Sequence, residues 1–127
     1  MKITPACLAL AVALVLLPAS HAARAACSPD DFKIEKFEPS EKSRANGRRV
    51  YSLRGEVVNK CAEPAAAQIK VEAKNDAGAV VHAEDGWPAG TNNIEPGKAV
   101  TFEFGPLFRY DENIKYFGVK VAGAKTW

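Results

Sequence analysis

The side chains that most often carry chemistry are scarce in this chain: three cysteines, two histidines and one methionine among 127 residues. A structural zinc site takes four Cys or His ligands, commonly with C-x-x-C spacing, and Cys7, Cys27 and Cys61 offer no such spacing. A cysteine nucleophile needs a histidine beside it as activating base, and only His21 and His82 exist. Neither a nucleotide-binding glycine loop nor a recognisable Ser/His/Asp set is present. The neighbouring acids Asp30-Asp31, Glu84-Asp85 and Asp111-Glu112 do not form a dyad by adjacency, since successive strand residues point to opposite faces. These shortages argue against an enzyme, and no catalytic residue, cofactor or metal is expected.

Helical periodicity is lacking too. Nowhere do apolar residues recur at three and four over a window of eleven or more, which excludes a helical bundle. Long apolar runs are confined to Ala6–Leu17, shorter than the roughly 20 residues that span a bilayer. With Lys2 before it and Pro18 and small residues after it, this stretch has the three parts of a secretory signal peptide. Ala23 and Ala25 place an A-x-A cut before Ala26, and Ser20 and Ala22 offer an alternative before Ala23. The expected division is therefore a signal peptide at 1–25 and one domain at 26–127, without a transmembrane segment in the mature chain, in the periplasm or secreted. Cys27 is preceded by Arg24-Ala25-Ala26, which lacks the Leu-like residue of a lipid-anchoring site.

Removing the leader takes away Cys7 and His21 and leaves Cys27 and Cys61 in an oxidising compartment, where two cysteines are most simply one disulfide. It also takes Lys2 and Arg24, leaving 15 basic against 15 acidic residues. No global pull toward nucleic acid or an anionic membrane follows, and no nucleic-acid partner is expected.

What the mature chain does have is short alternation broken by turn residues every eight to fifteen positions. F-K-I-E-K-F-E-P opens it, with Phe32 and Ile34 on one face and Pro39 ending the pairing. R-V-Y-S-L-R-G-E-V-V-N, residues 49–59, turns Tyr51, Leu53, Gly55 and Val57 to one side, and Gly55 marks a bulge or a close neighbour. Between them Asn46-Gly47 reads as a two-residue hairpin turn with positive φ at both positions. Ile69, Val71 and Ala73 alternate inward with Gln68, Lys70, Glu72 and Lys74 outward. A-V-V-H-A-E-D follows and ends at Trp87-Pro88. Pro96-Gly97 then turns the chain into a strand with Val100, Phe102 and Phe104 on one face, and Phe117, Val119 and Val121 share a face in the last. The expectation is all-β: an immunoglobulin-like antiparallel β-sandwich of about six or seven strands.

The series G-E-V-V-N (55–59), N-D-A-G-A-V-V (75–81) and I-E-P-G-K-A-V-T-F-E-F (94–104) resembles the FxLYD domain group, small bacterial exported or membrane-anchored immunoglobulin-like domains. The likeness runs over roughly residues 49–121. Where that group carries Phe-x-Leu-Tyr-Asp, this chain reads Val71-Glu72-Ala73-Lys74-Asn75. The resemblance implies the fold and no catalytic residues.

Two segments are candidates for interaction. Lys42, Arg44, Arg48 and Arg49 cluster around the Asn46-Gly47 turn, where they can contact an acidic protein or envelope phosphates, or serve only to keep a sheet edge from pairing. G-P-L-F-R-Y-D-E-N-I, residues 105–114, reads as a loop in which Leu107, Phe108, Arg109 and Tyr110 have the composition of a binding hot spot, or else plug an open end of the fold. His82 and Glu84 share a face, as a weak metal pair or an ordinary polar surface. Trp87 stacks on a ligand or packs inward, and Trp127 is a loose terminus unless it docks. The expected function is a non-enzymatic accessory or protein-interaction domain whose partner is another cell-envelope or extracellular protein. The alternatives are a small-ligand or metal-binding protein using His82, and a secreted enzyme inhibitor presenting residues 105–113.

Overall fold

A computed structural model describes residues 26–127, with the strand path but not the side chains at 106–108; the expected signal peptide, 1–25, lies outside the described residues. Strands form where the alternation predicts them: β1 (Phe32–Ser43), β2 (Arg49–Asn59), β3 (Ala66–Lys74), β4 (Val80–Gly86), β5 (Ala99–Arg109) and β6 (Tyr116–Lys125). The described chain is all-β apart from one 3-10 turn at Pro29–Asp31. Two three-stranded antiparallel sheets result, ordered β1-β2-β5 and β4-β3-β6.

One hydrophobic core lies between the sheets. The first contributes Leu53, Val57, Phe102 and Phe104, the second Ile69, Val71 and Ala73, and Phe117, Val119 and Val121 pack against these partly buried. Gly55 is where a side chain has no room: a Cβ there would stand 2.6 Å from Cζ of Phe102. The ring of Phe102 fills the space that glycine leaves.

Local chemistry sets the turns, with two departures from expectation. The β1–β2 connection is a three-residue loop. The Gly47 N–H donates to the carbonyl of Arg44, and the Arg44 N–H to that of Arg48. Only Gly47 has positive φ, at 77°, and Asn46 does not. This is a type I turn followed by a left-handed glycine, not the two-residue Asn-Gly turn. The β3–β4 loop repeats it with Asn75, Gly78 (φ 77°) and Ala79. Secondly, β1 does not stop at Pro39, which pairs opposite Leu53. As an edge strand β1 has no ladder partner on one side, so the missing N–H of proline is tolerated.

Cys27 and Cys61 form the expected disulfide, with Cα atoms 5.9 Å apart. Beside it Asn59 is wholly buried and uses every polar group it has. Its Nδ2 donates to the carbonyls of Glu63 (2.9 Å) and Ile94 (2.7 Å), and its Oδ1 accepts from the Cys61 N–H (2.8 Å). Its backbone N–H donates to Lys98, and its carbonyl accepts from Gly97. The C-terminus docks nearby: Trp127 packs edge-on against Trp87, centroids 5.9 Å apart, and its N–H donates to Oδ1 of Asn93.

Candidate functional site

The register of the first sheet brings the two interaction candidates together. Lys42 on β1 pairs with Val50 on β2, which pairs with Arg109 on β5. Residues directly opposite in an antiparallel sheet share a face, so these three form one row. Arg44 and Arg48, paired across the loop, form the next row on that face, two residues further along each strand. The core side chains of β2 are the odd-numbered Leu53 and Val57, so this even-numbered face points away from the core. Arg44, Gly47, Arg48, Arg49, Val50, Arg109 and Tyr110, from both faces of the sheet, line an open hollow of about 450 Å³ around this tip.

Arg109 reaches this row because β5 is irregular. Leu53 pairs with Phe104 but Tyr51 with Phe108, so β5 carries two extra residues over that interval. The insertion moves Arg109 along the strand without turning it to the other face, since strand parity is preserved. It also corrects the reading of 105–114 as a loop: β5 continues through Arg109, and only Tyr110 onward leaves the sheet. Leu107 and Phe108 have side chains outside the described residues.

The cations of the cluster differ in what holds them. Lys42 lies 3.7 Å from Oε1 of Glu103, the same oxygen that accepts from Ser52 Oγ at 2.8 Å. The Ser52 hydrogen bond first, and Lys42 second, hold the Glu103 carboxyl below the usual glutamate range. Arg49 points to the opposite face, pairs with Glu41 and lies 3.9 Å over the ring of Tyr110. Tyr110 in turn stacks on Tyr51, which meets Phe117 edge-on. This aromatic group closes the core at that end, and burial, then the neighbouring Tyr110, pushes the Tyr51 hydroxyl pKa up. Arg49 and Tyr110 thus have a packing role. Among the described residues no carboxylate pairs with Arg44, Arg48 or Arg109, and all three are exposed.

His82 and Glu84 stand where the sequence pairs them, on one face, with Nε2 and Oε1 2.9 Å apart. Their face is the core side of β4: His82 pairs opposite Ala73, Glu84 opposite Val71. They remain partly exposed because β4 and β5 are open edges of their sheets. An open cleft of about 620 Å³ lies there, lined by Val81, His82, Arg109, Tyr110, Asp111, Glu112 and Ile114. Charged residues pointing inward at an edge are a way of discouraging pairing with other sheets. Among the described residues one group of three potential metal ligands comes together, Cys27, Asp31 and Cys61, and its sulfurs are joined to each other.

On the outer face of the second sheet Glu72 is ringed by Lys120 (3.2 Å), Lys74 (3.9 Å) and Lys70 (4.0 Å). The Lys120 hydrogen bond leads in holding its carboxyl below the usual range. This lysine-rich strip carries its own neutralising acid, unlike the three arginines.

The sequence shows Lys42, Arg44 and Arg48 at the turn but not that Arg109 joins them, since no residue pattern announces a two-residue insertion in β5. Among the described residues no helix is long and apolar enough to cross a membrane. Set against family models, curated proteins and solved structures, the chain matches none.

Proposed function

We propose that this chain is an exported, non-enzymatic accessory domain with an immunoglobulin-like β-sandwich of the FxLYD type. It binds another protein of the cell envelope or extracellular space through the cationic face at the β1–β2 tip. The observation that carries the reading is the gathering of Lys42, Arg44, Arg48 and Arg109, from three strands, on one exposed face. Among the described residues three of these cations have no acidic partner, and like charges gathered without an acid repel one another, a cost that an acidic ligand would relieve. The disulfide supports export, because such bonds persist in oxidising compartments.

The test is photo-crosslinking in the native envelope from a probe at Ser40, exposed on the same face and one row from Lys42. A discrete adduct is expected with the wild-type protein, and its loss in Arg48→Glu/Arg109→Glu. An adduct unchanged by that double reversal, or no adduct at all, counts against the reading.

A further inference from the structure

The geometry points to an extended acidic segment of a partner protein, with carboxylates at every second residue, as the ligand of the cationic face. The inference rests on the proposed function above and adds the chemistry of recognition. Strands in a sheet lie about 4.8 Å apart, and residues two apart along a strand about 6.7 Å. Lys42 and Arg109 are thus carried roughly 10 Å apart across the sheet, and the Arg44–Arg48 row lies about 7 Å further toward the tip. An extended peptide repeats its same-side groups at the same 6.7 Å or so. Laid along the strands, it brings one carboxylate to the Val50 row, near Arg109, and the next to the Arg44–Arg48 row.

The side chains suit that ligand. A guanidinium takes a carboxylate through two parallel N–H donors. Val50, half-buried at the centre of its row, offers the intervening residue of the peptide an apolar seat. The hollow is open and shallow, so it fits a chain passing over it better than a small molecule enclosed within it. A single phosphate calls for donors converging on one point, whereas these arginines are carried on separate lattice positions.

The experiment uses the mature, disulfide-bonded protein and fluorescence anisotropy with three labelled peptides: alternating Glu-Ser, the same composition with all Glu in one block, and alternating Lys-Ser. The alternating Glu peptide should bind tightest, the Lys peptide not at all, and added salt should weaken binding. Each of Arg44→Ala, Arg48→Ala and Arg109→Ala should weaken it about three- to fivefold. The triple variant should lose about thirtyfold or more, while Arg54→Ala, on the same sheet face but further from the tip, should change nothing. No binding, or binding insensitive to the triple variant, overturns the proposal. So does tighter binding to phosphatidylglycerol vesicles with the same arginine dependence, which assigns the face to a phosphate surface. If the envelope crosslink at Ser40 depends on these arginines while the Glu peptide fails, the partner reading stands and the acidic-segment chemistry falls. If both fail, both readings fall.

Discussion

The two ends of β2 are built to opposite purposes. At Asn59 the strand closes into a disulfide and a buried amide whose every donor and acceptor is used. At Arg49 it opens into an exposed tip where Arg44, Arg48 and, from β5, Arg109 are exposed and, among the described residues, pair with no carboxylate. Eleven residues of one strand thus run from a locked end to a charged one, with Gly55 and the ring of Phe102 between them. The contrast separates bonded polar groups from exposed charge along a single element: one end is satisfied throughout, and the other is left to solvent.

The largest effect expected from breaking this contrast is at the locked end. Replacing both Cys27 and Cys61 by serine removes a cross-link spanning 34 positions and should cost about 3–4 kcal/mol on the chain-entropy account, read as a lower denaturation midpoint with little change in native spectra. Asn59→Ala should cost roughly 2–4 kcal/mol, because the carbonyls of Ile94 and Glu63 and the N–H of Cys61 lose their partner together. Asn59→Asp sharpens the point. It keeps the acceptor but faces a carboxylate toward two carbonyls, and should be no better than alanine by the same measurement.

Mid-strand, Gly55→Ala drives a methyl into Phe102 and should cost about 1–3 kcal/mol through overpacking. Phe102→Leu in the same chain should recover part of that loss in a double-mutant comparison, since the nearest atoms to the new methyl all belong to that ring.

How much of this was legible follows from what each residue depends on. The β2 and β3 faces could be read because a period of two needs only local spacing, and the role of Gly55 because a missing side chain in a strand demands a neighbour. The disulfide was legible once the expected signal peptide was set aside. Pro39 misleads because only the sheet order reveals that β1 is an edge. Arg109 could not be joined to the turn, as its position depends on an insertion in β5 that Tyr51 and Leu53 expose only through their partners. Asn59 reads as an ordinary strand end, because its five hydrogen bonds reach residues from 61 to 98.

Acid should erode the fold through the carboxylates that the cations hold. Glu103 and Glu72 both have folded-state pKa values lowered from 4.5, by hydrogen bonds from Ser52 and Lys120 first. A lowered carboxylate adds stability that is fully present above the unfolded value and is lost as pH falls through the folded one. Melting temperature should therefore drop on the acid side of about pH 4.5, and Glu103→Gln should make that limb shallower. The Tyr51 shift works at the other extreme. Its raised pKa favours the neutral folded form, so stability should decline as pH rises above about 10.

The smallest effect on stability is expected at the charged end. Arg44→Ala, Arg48→Ala and Arg109→Ala each remove an exposed cation that no described carboxylate neutralises, so each should shift unfolding free energy by no more than about 0.5 kcal/mol. Relief of mutual repulsion should make the triple variant at least as stable as wild type. Arg49→Ala is the discriminating neighbour: it sits in the same hairpin but pairs with Glu41 and covers Tyr110, so it should cost about 1 kcal/mol. Denaturation of the four variants side by side separates the two kinds of arginine. A substantial loss at Arg44, Arg48 or Arg109 would mean that the tip is held by these charges, and the division of labour along β2 would fail.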